Sequence, residues 1–172
     1  MYIGVDLGST NLKAALYNGS MELVDRQSLP VSYIRENGCV EFDGETYFQS
    51  LLRLLVGLIG KNKVTEKVCI ALTGQAESLV VMDQSGQLLM NVISWMDERS
   101  TEECAVLAEK FDAATCEAIT GQMAVLPTWP ATKIAWLRKN RPEIYDNADT
   151  YMLLKDYVVF FLTGKKLSDM SI

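Results

Sequence analysis

Three extended segments in direct succession at the N-terminus place the tightest limit on the fold of this 172-residue chain. Residues 2–5 (Y-I-G-V) form an apolar run long enough for one buried strand. The chain reverses through Asp6, Gly8, Ser9 and Thr10, then turns apolar again at Leu12, Ala14, Ala15 and Leu16. Tyr17-Asn18-Gly19-Ser20 leads into a third strand over 22–31, Asn-Gly being a strong short-range turn signal. Three antiparallel strands with no helix between them argue against a plain Rossmann domain, which alternates strand and helix.

The first reversal admits two readings. Gly8 allows a positive φ or a close backbone approach, and Ser9 and Thr10 bring hydroxyl donors. Successive turn N–H groups can cradle an anion. A carboxylate at a strand end, Asp6, can hold a hydrated Mg2+ that takes its remaining ligands from phosphate oxygens and water. The same residues also satisfy ordinary turn chemistry, and the spacing alone leaves both readings open.

The length corresponds to about one domain with a real core. A hydrophobic share of 49% against 22% charged residues is that of a globular chain, which sets disorder aside. A net charge of −6 argues against nonspecific attraction to nucleic acid or an anionic membrane. The chain has no histidine, so it cannot itself supply a histidine base or zinc ligand. Cys39, Cys69, Cys104 and Cys116 show no metal-like pairing and read as free thiols of a cytoplasmic protein. No apolar run reaches the length of a membrane span, and no basic-then-apolar leader opens the chain.

Further along, 39–42 reads as a short extended piece. A helix is expected over 45–59 with Asp43 as its N-cap, its buried stripe being Phe48, Leu51, Leu52, Leu55, Leu58 and Ile59. The run 67–73 (K-V-C-I-A-L-T) reads as a buried crossover strand, ending in the polar tip Thr73-Gly74-Gln75-Ala76-Glu77-Ser78. Strands over 79–82 and 88–94 enclose a turn at 83–86, and the second ends in Trp95-Met96-Asp97-Glu98-Arg99. Ligands in open α/β sheets collect at the carboxyl ends of strands. Gln75 and Glu77 could bind hydroxyls beside a flat Trp95 wall, and Glu77 and Arg99 could equally make plain surface contacts. The remainder is helical over 100–111, 113–119, 132–140 and 156–162, with a Pro-containing loop at 125–130 and a strand or turn at 151–154. In the 132–140 helix, Ile134 and Leu137 are expected inward, Arg138 and Lys139 outward, and Arg141-Pro142 ends it. Asp156, Thr163, Gly164 and Asp169 read as structural: a helix start, a helix stop and a turn.

Five blocks in this order resemble the FGGY carbohydrate kinases: Y-I-G-V-D-L-G-S-T-N-L-K-A at the start, T-G-Q at 73–75, I-S-W-M-D-E-R at 93–99, K-I-A-W-L-R-K-N-R-P-E at 133–143, and L-L-K-D-Y-V-V-F-F-L-T-G-K-K-L-S-D-M-S at 153–171. The resemblance implies an α/β, actin-like ATPase (ribonuclease H-like) fold, with a mixed five-stranded sheet, three antiparallel N-terminal strands and helices. It further implies transfer of the γ-phosphoryl of ATP, with Mg2+, to a hydroxyl of a small sugar or polyol. Asp6 would hold Mg2+ through water, Gly8, Ser9, Thr10 and Asn11 would line the phosphates, and Lys13 would face them. Gln75, Ala76, Glu77, Trp95, Asp97 and Arg99 would lie on the sugar side. Here the sequence departs from its kin. Xylulokinase-like members carry G-Q-M-H-G where this chain has G-Q-A-E-S, and glycerol-kinase-like members carry arginine at the position of Ala76 and tyrosine at that of Thr128. Neither substrate carries over.

In the family, the catalytic aspartate and the adenosine-binding second domain lie beyond the position that Ile172 occupies here, so the catalytic base is expected beyond Ile172. Residues 1–172 therefore read as an N-terminal domain, incomplete at its C-terminal end and expected by itself neither to bind ATP tightly nor to turn over. A homodimer is left open for a full-length protein. Two competing readings stand beside the kinase: an actin-like nucleotide-switch ATPase and a noncatalytic binding module. The cluster at 95–99 speaks against the switch, which needs no polyol pocket.

Overall fold

Alternation of apolar and polar side chains along the first strands decides which sheet face is covered. The computed structural model describes residues 1–168. The turn expected at Asp169, and Ile172 as the position beyond which the base is expected, lie outside the described residues. The elements run β1 (Tyr2–Leu7), β2 (Asn11–Tyr17), β3 (Leu23–Pro30), β4 (Ile34–Glu36), β5 (Cys39–Phe42), α1 (Gly44–Lys61), β6 (Cys69–Gly74), β7 (Leu79–Met82), β8 (Val92–Ile93), α2 (Thr101–Ala108), α3 (Ala113–Thr120), α4 (Pro130–Asn140), α5 (Pro142–Asn147), β9 (Thr150–Leu153) and α6 (Leu154–Thr163). They form two compact units. The first holds Met1–Tyr33, Phe42–Ala76 and the chain from Lys155, the second Ile34–Glu41 and Glu77–Leu154.

The first unit contains a four-stranded sheet of order β3-β2-β1-β6. β1, β2 and β3 pair antiparallel as the sequence indicates, and β6 runs parallel to β1. Ile3, Val5 and Leu7 of β1 and Leu12, Ala14 and Leu16 of β2 are buried on one face, as a period of two requires. α1 starts where expected, the Asp43 side chain accepting the Thr46 N–H at 2.6 Å. It buries Tyr47, Phe48, Leu51, Leu54, Leu55 and Leu58, each large apolar side chain contributing about 1.5–3 kcal/mol. Phe48 lies against Tyr157 and Phe161 of α6, with ring centroids 4.4 and 5.4 Å away. Gly164, at φ +72°, ends α6 as the sequence indicates.

Three expectations for this unit need correction. The stripe of α1 is turned from the expected one: Tyr47 and Leu54 are buried, while Leu52 and Ile59 are only half-buried. The mixed sheet has four strands among the described residues rather than five. β6 is mostly exposed, because it is the edge of that sheet with β1 as its neighbour. Its apolar, β-branched composition gives the strand but not the number of faces covered.

The second unit is built on a sheet of order β4-β5-β8-β7-β9. β4 and β5 form a hairpin whose two turn residues, Asn37 and Gly38, both have positive φ (49° and 82°), which a two-residue turn of this hand requires. β7 is buried along its whole length and pairs antiparallel with both β8 and β9. The strand expected over 88–94 narrows to β8, with Leu88 making one isolated bridge to Met82. Leu79, Val81, Ile93, Leu137 and Ile144 form the core of this unit. Pro142 starts α5 directly after α4, since a proline that ends one helix is well placed at the first turn of another. All four cysteines are free thiols. Among the described residues no helix is long and apolar enough to cross a membrane, and no group of three or more Cys, Asp or Glu side chains could hold a metal ion.

Candidate functional site

The reversal from Asp6 to Thr10 lies in the first unit. Because Ile3, Val5 and Leu7 occupy the covered face of β1, Asp6 falls on the opposite face, as does its cross-strand partner Lys13 on β2. Lys13 Nζ donates to Asp6 Oδ2 at 3.1 Å, with both side chains substantially exposed. Thr73 on β6 is the parallel neighbour of Asp6, so carboxylate, ammonium and hydroxyl-bearing residue stand abreast on three strands. They border an open concavity of about 690 Å3 that Gly4, Ala15 and Tyr17 also line. Asn11 begins β2, Ser9 and Thr10 form the turn, and the Thr10 carbonyl accepts the Val31 N–H at 3.0 Å. Gly8 is there because of close approach: a Cβ on it would overlap the Asn11 carbonyl oxygen.

The polar tip after β6 depends on a second close approach. Gly74 has φ +150°, and an added Cβ would lie 2.6 Å from the Leu7 carbonyl oxygen. That fit brings the Gln75 N–H to Leu7 O at 3.2 Å and ties the tip to the end of β1. Gln75 and Ala76 are half-buried. Burial pushes the Tyr47 phenol well above its ordinary pKa, and the Gln75 side chain acts in the opposite direction.

Glu77, Trp95, Asp97 and Arg99 belong to the second unit. Glu77 is half-buried and Trp95 is 39% exposed. The Trp95 N–H donates to Ser78 Oγ at 3.0 Å, joining the segments that precede β7 and follow β8. Asp97, fully buried, is occupied structurally. Its Oδ1 accepts the Arg99 backbone N–H at 3.0 Å and Nε at 2.8 Å, while Oδ2 accepts Arg99 Nη2 at 2.8 Å and the Val40 N–H. Arg99 Nη2 also reaches Glu41 Oε1 at 2.7 Å, Glu41 accepts from Asn91 Nδ2 at 3.1 Å, and the guanidinium lies 5.0 Å from the Trp136 ring centroid. Burial opposes the Arg99 charge, but hydrogen bonds and attraction from Asp97 and Glu41 outweigh it and hold the group protonated. Asp97 and Arg99 thus shape the segment from within, whereas Glu77 and Trp95 present surface.

Two participants escape the sequence reading. Thr73 becomes a site neighbour only through the parallel pairing of β6. Lys133 is expected merely inside an amphipathic helix, yet it is fully buried, with Nζ donating to the Ser94 carbonyl at 2.9 Å and the Glu77 carbonyl at 3.5 Å. A lysine on the apolar side of a helix, between Thr132 and Ile134, is the available signal.

These observations can be set beside known proteins. The FGGY family of carbohydrate kinases, N-terminal domain, matches residues 1–172. Xylulose kinase of Escherichia coli is 30% identical over 172 residues, which covers 99% of this chain and 35% of that protein. The crystal structure of xylulose kinase from Rhodospirillum rubrum has a TM-score of 0.90 at 25% identity, covering 97% of this chain and 35% of that one. Gluconate kinase from Lactobacillus acidophilus has a TM-score of 0.86 at 28% identity, covering 96% and 33% respectively. The chain spans about a third of the length of the curated relatives it matches.

Proposed function

The chain belongs to the FGGY family of carbohydrate kinases, matching its N-terminal domain, and from that premise we propose that the protein carrying it is a cytoplasmic, ATP-dependent kinase of a small sugar or polyol. The fold is the α/β, actin-like ATPase fold of the family. The observation that carries the reading is the placement of Asp6 and Lys13 side by side on the open sheet face, above a turn too tight for a side chain at Gly8.

The donor set fits Mg-ATP. A single exposed carboxylate suits Mg2+, which keeps several waters and takes other ligands from phosphate, and successive N–H groups of a turn such as that at Gly8–Thr10 can cradle an anion. Asp6 would hold the ion through water; Gly8, Ser9, Thr10 and Asn11 would line the phosphates; Lys13 would add positive charge. Bound Mg-ATP supplies the phosphoryl group and a neutralising cation. Gln75 and Glu77 are assigned to substrate hydroxyls and Trp95 to an apolar wall, while Asp97 and Arg99 hold the Trp95 segment in place. No residue named here is assigned the base that accepts the hydroxyl proton. By resemblance that base belongs to sequence following Ile172.

The names of the relatives point to xylulose or gluconate as the substrate class to test first. In the full-length protein, Asp6→Ala should lower kcat in an ADP-release assay with D-xylulose or D-gluconate by roughly a hundredfold. Unchanged turnover would refute the assignment of the hairpin.

A further inference from the structure

Lys133 is the one fully buried lysine among the described residues, and no carboxylate stands within ion-pair distance of it there. Lysine is almost never fully buried without a partner, and an apolar side chain of similar volume would fill the site at lower cost. Its ammonium rests instead on two backbone carbonyls, Ser94 O at 2.9 Å and Glu77 O at 3.5 Å. These carbonyls sit at one end of the β7–β8 pair, where Leu79 faces Ile93. Each is at or next to a side chain assigned above to the substrate, Glu77 itself and Trp95. Ser78 Oγ, holding the Trp95 N–H, ties the same two segments a second time.

We propose that Lys133 is a positioning residue for the sugar side: by drawing two strand-end carbonyls onto one buried ammonium, it fixes Glu77 and Trp95 relative to each other. The inference rests on the kinase reading for what those two side chains bind. Hydrogen bonds from an ammonium are about twice as strong as neutral ones, so the clamp weakens when the proton leaves. Burial pulls the Lys133 pKa down to about 8; Asp97 and Glu77 act against that shift and Arg99 adds to it, so the proton leaves within the range of an ordinary assay.

The test uses the full-length protein, with D-xylulose and D-gluconate as probes. Lys133→Met should raise KM for the sugar by about tenfold or more while kcat and the KM for ATP change by less than about threefold, the strength of a lost charged hydrogen bond setting the scale. In the parent, sugar KM should rise as pH passes about 8 while ATP KM stays level, and this needs no variant to fold. Sugar KM unchanged in Lys133→Met, or flat across pH 7–9.5 in the parent, overturns the clamp. A parent inactive on every sugar and polyol tried would instead overturn the kinase reading, and the substrate role given to Lys133 would go with it.

Discussion

Removing the Asp97 carboxylate should cost the chain more stability than any other single truncation in its polar network. Asp97→Ala deletes four acceptor contacts at once: the Arg99 backbone N–H, Nε and Nη2, and the Val40 N–H. The Arg99 side chain, only 5% exposed, would keep Glu41 as its carboxylate partner, and the Val40 N–H would lose its acceptor. Breaking a buried ion pair from one side costs about 3–5 kcal/mol. Because the lost contacts share one group they do not add, and about 4 kcal/mol is the expected loss. At about 2–4 °C per kcal/mol for a chain of this size, Tm should fall by roughly 8–16 °C. Thermal melts by circular dichroism would read this, and Trp136 fluorescence would report locally, since the guanidinium lies over that ring. Arg99→Met combined with Asp97→Ala should recover a good part of the loss, because the stranded charge leaves with its partner. A single variant melting within about 2 °C of the parent, or a double variant no better than the single, would refute the reasoning.

Three further outcomes concern the first unit. Gly74→Ala should destabilise by more than about 2 kcal/mol in urea titrations, since it combines a positive φ with overlap against Leu7. Gly60→Ala, in the last turns of α1 with open space around it, should be neutral or stabilising by up to about 1 kcal/mol. Lys61→Ala should return the Asp25 carboxyl from about 2 toward its ordinary 3.8, because the Lys61 hydrogen bond is the main cause of its depression and Asn62 supplies the next. As the folded-state pKa lies below the unfolded one, this contribution is present above about pH 4 and is lost as pH falls toward 2. An NMR titration of Asp25 checks the shift, and parent and variant stabilities should converge at the acid end.

Features written in neighbouring residues were legible in the sequence. The Asn18-Gly19 reversal, the Asp43 cap and the Gly164 stop are local, and the structure places them where the residues indicate. The β4–β5 hairpin carries the same kind of signal at Asn37-Gly38, and only its short, exposed first strand kept it from view. What depends on distant partners was not legible. β6 has the composition of a buried strand, and its exposure follows from its place in the sheet order. Asp97 and Arg99 read as ligand-facing polar residues because nothing nearby in sequence announces Glu41 or the Val40 N–H. Lys133 carries no assigned face in the sequence reading because its acceptors are carbonyls 39 and 56 residues away.

The second unit also sets a timetable for the chain as it is made. Its β4–β5 hairpin is synthesised before α1, β6 and β7, yet β8, which pairs with it, comes long afterwards. The Val40 N–H meets its acceptor on Asp97 across 57 residues. At about 5–20 residues per second, that interval is on the order of 3–11 s on the ribosome. An isolated hairpin forms in about 1–10 μs and is marginal in water alone. Residues 34–41 must therefore form and lose their turn very many times before the strand that retains it emerges. A translational pause between the codons for Glu41 and Val92 would lengthen that exposure.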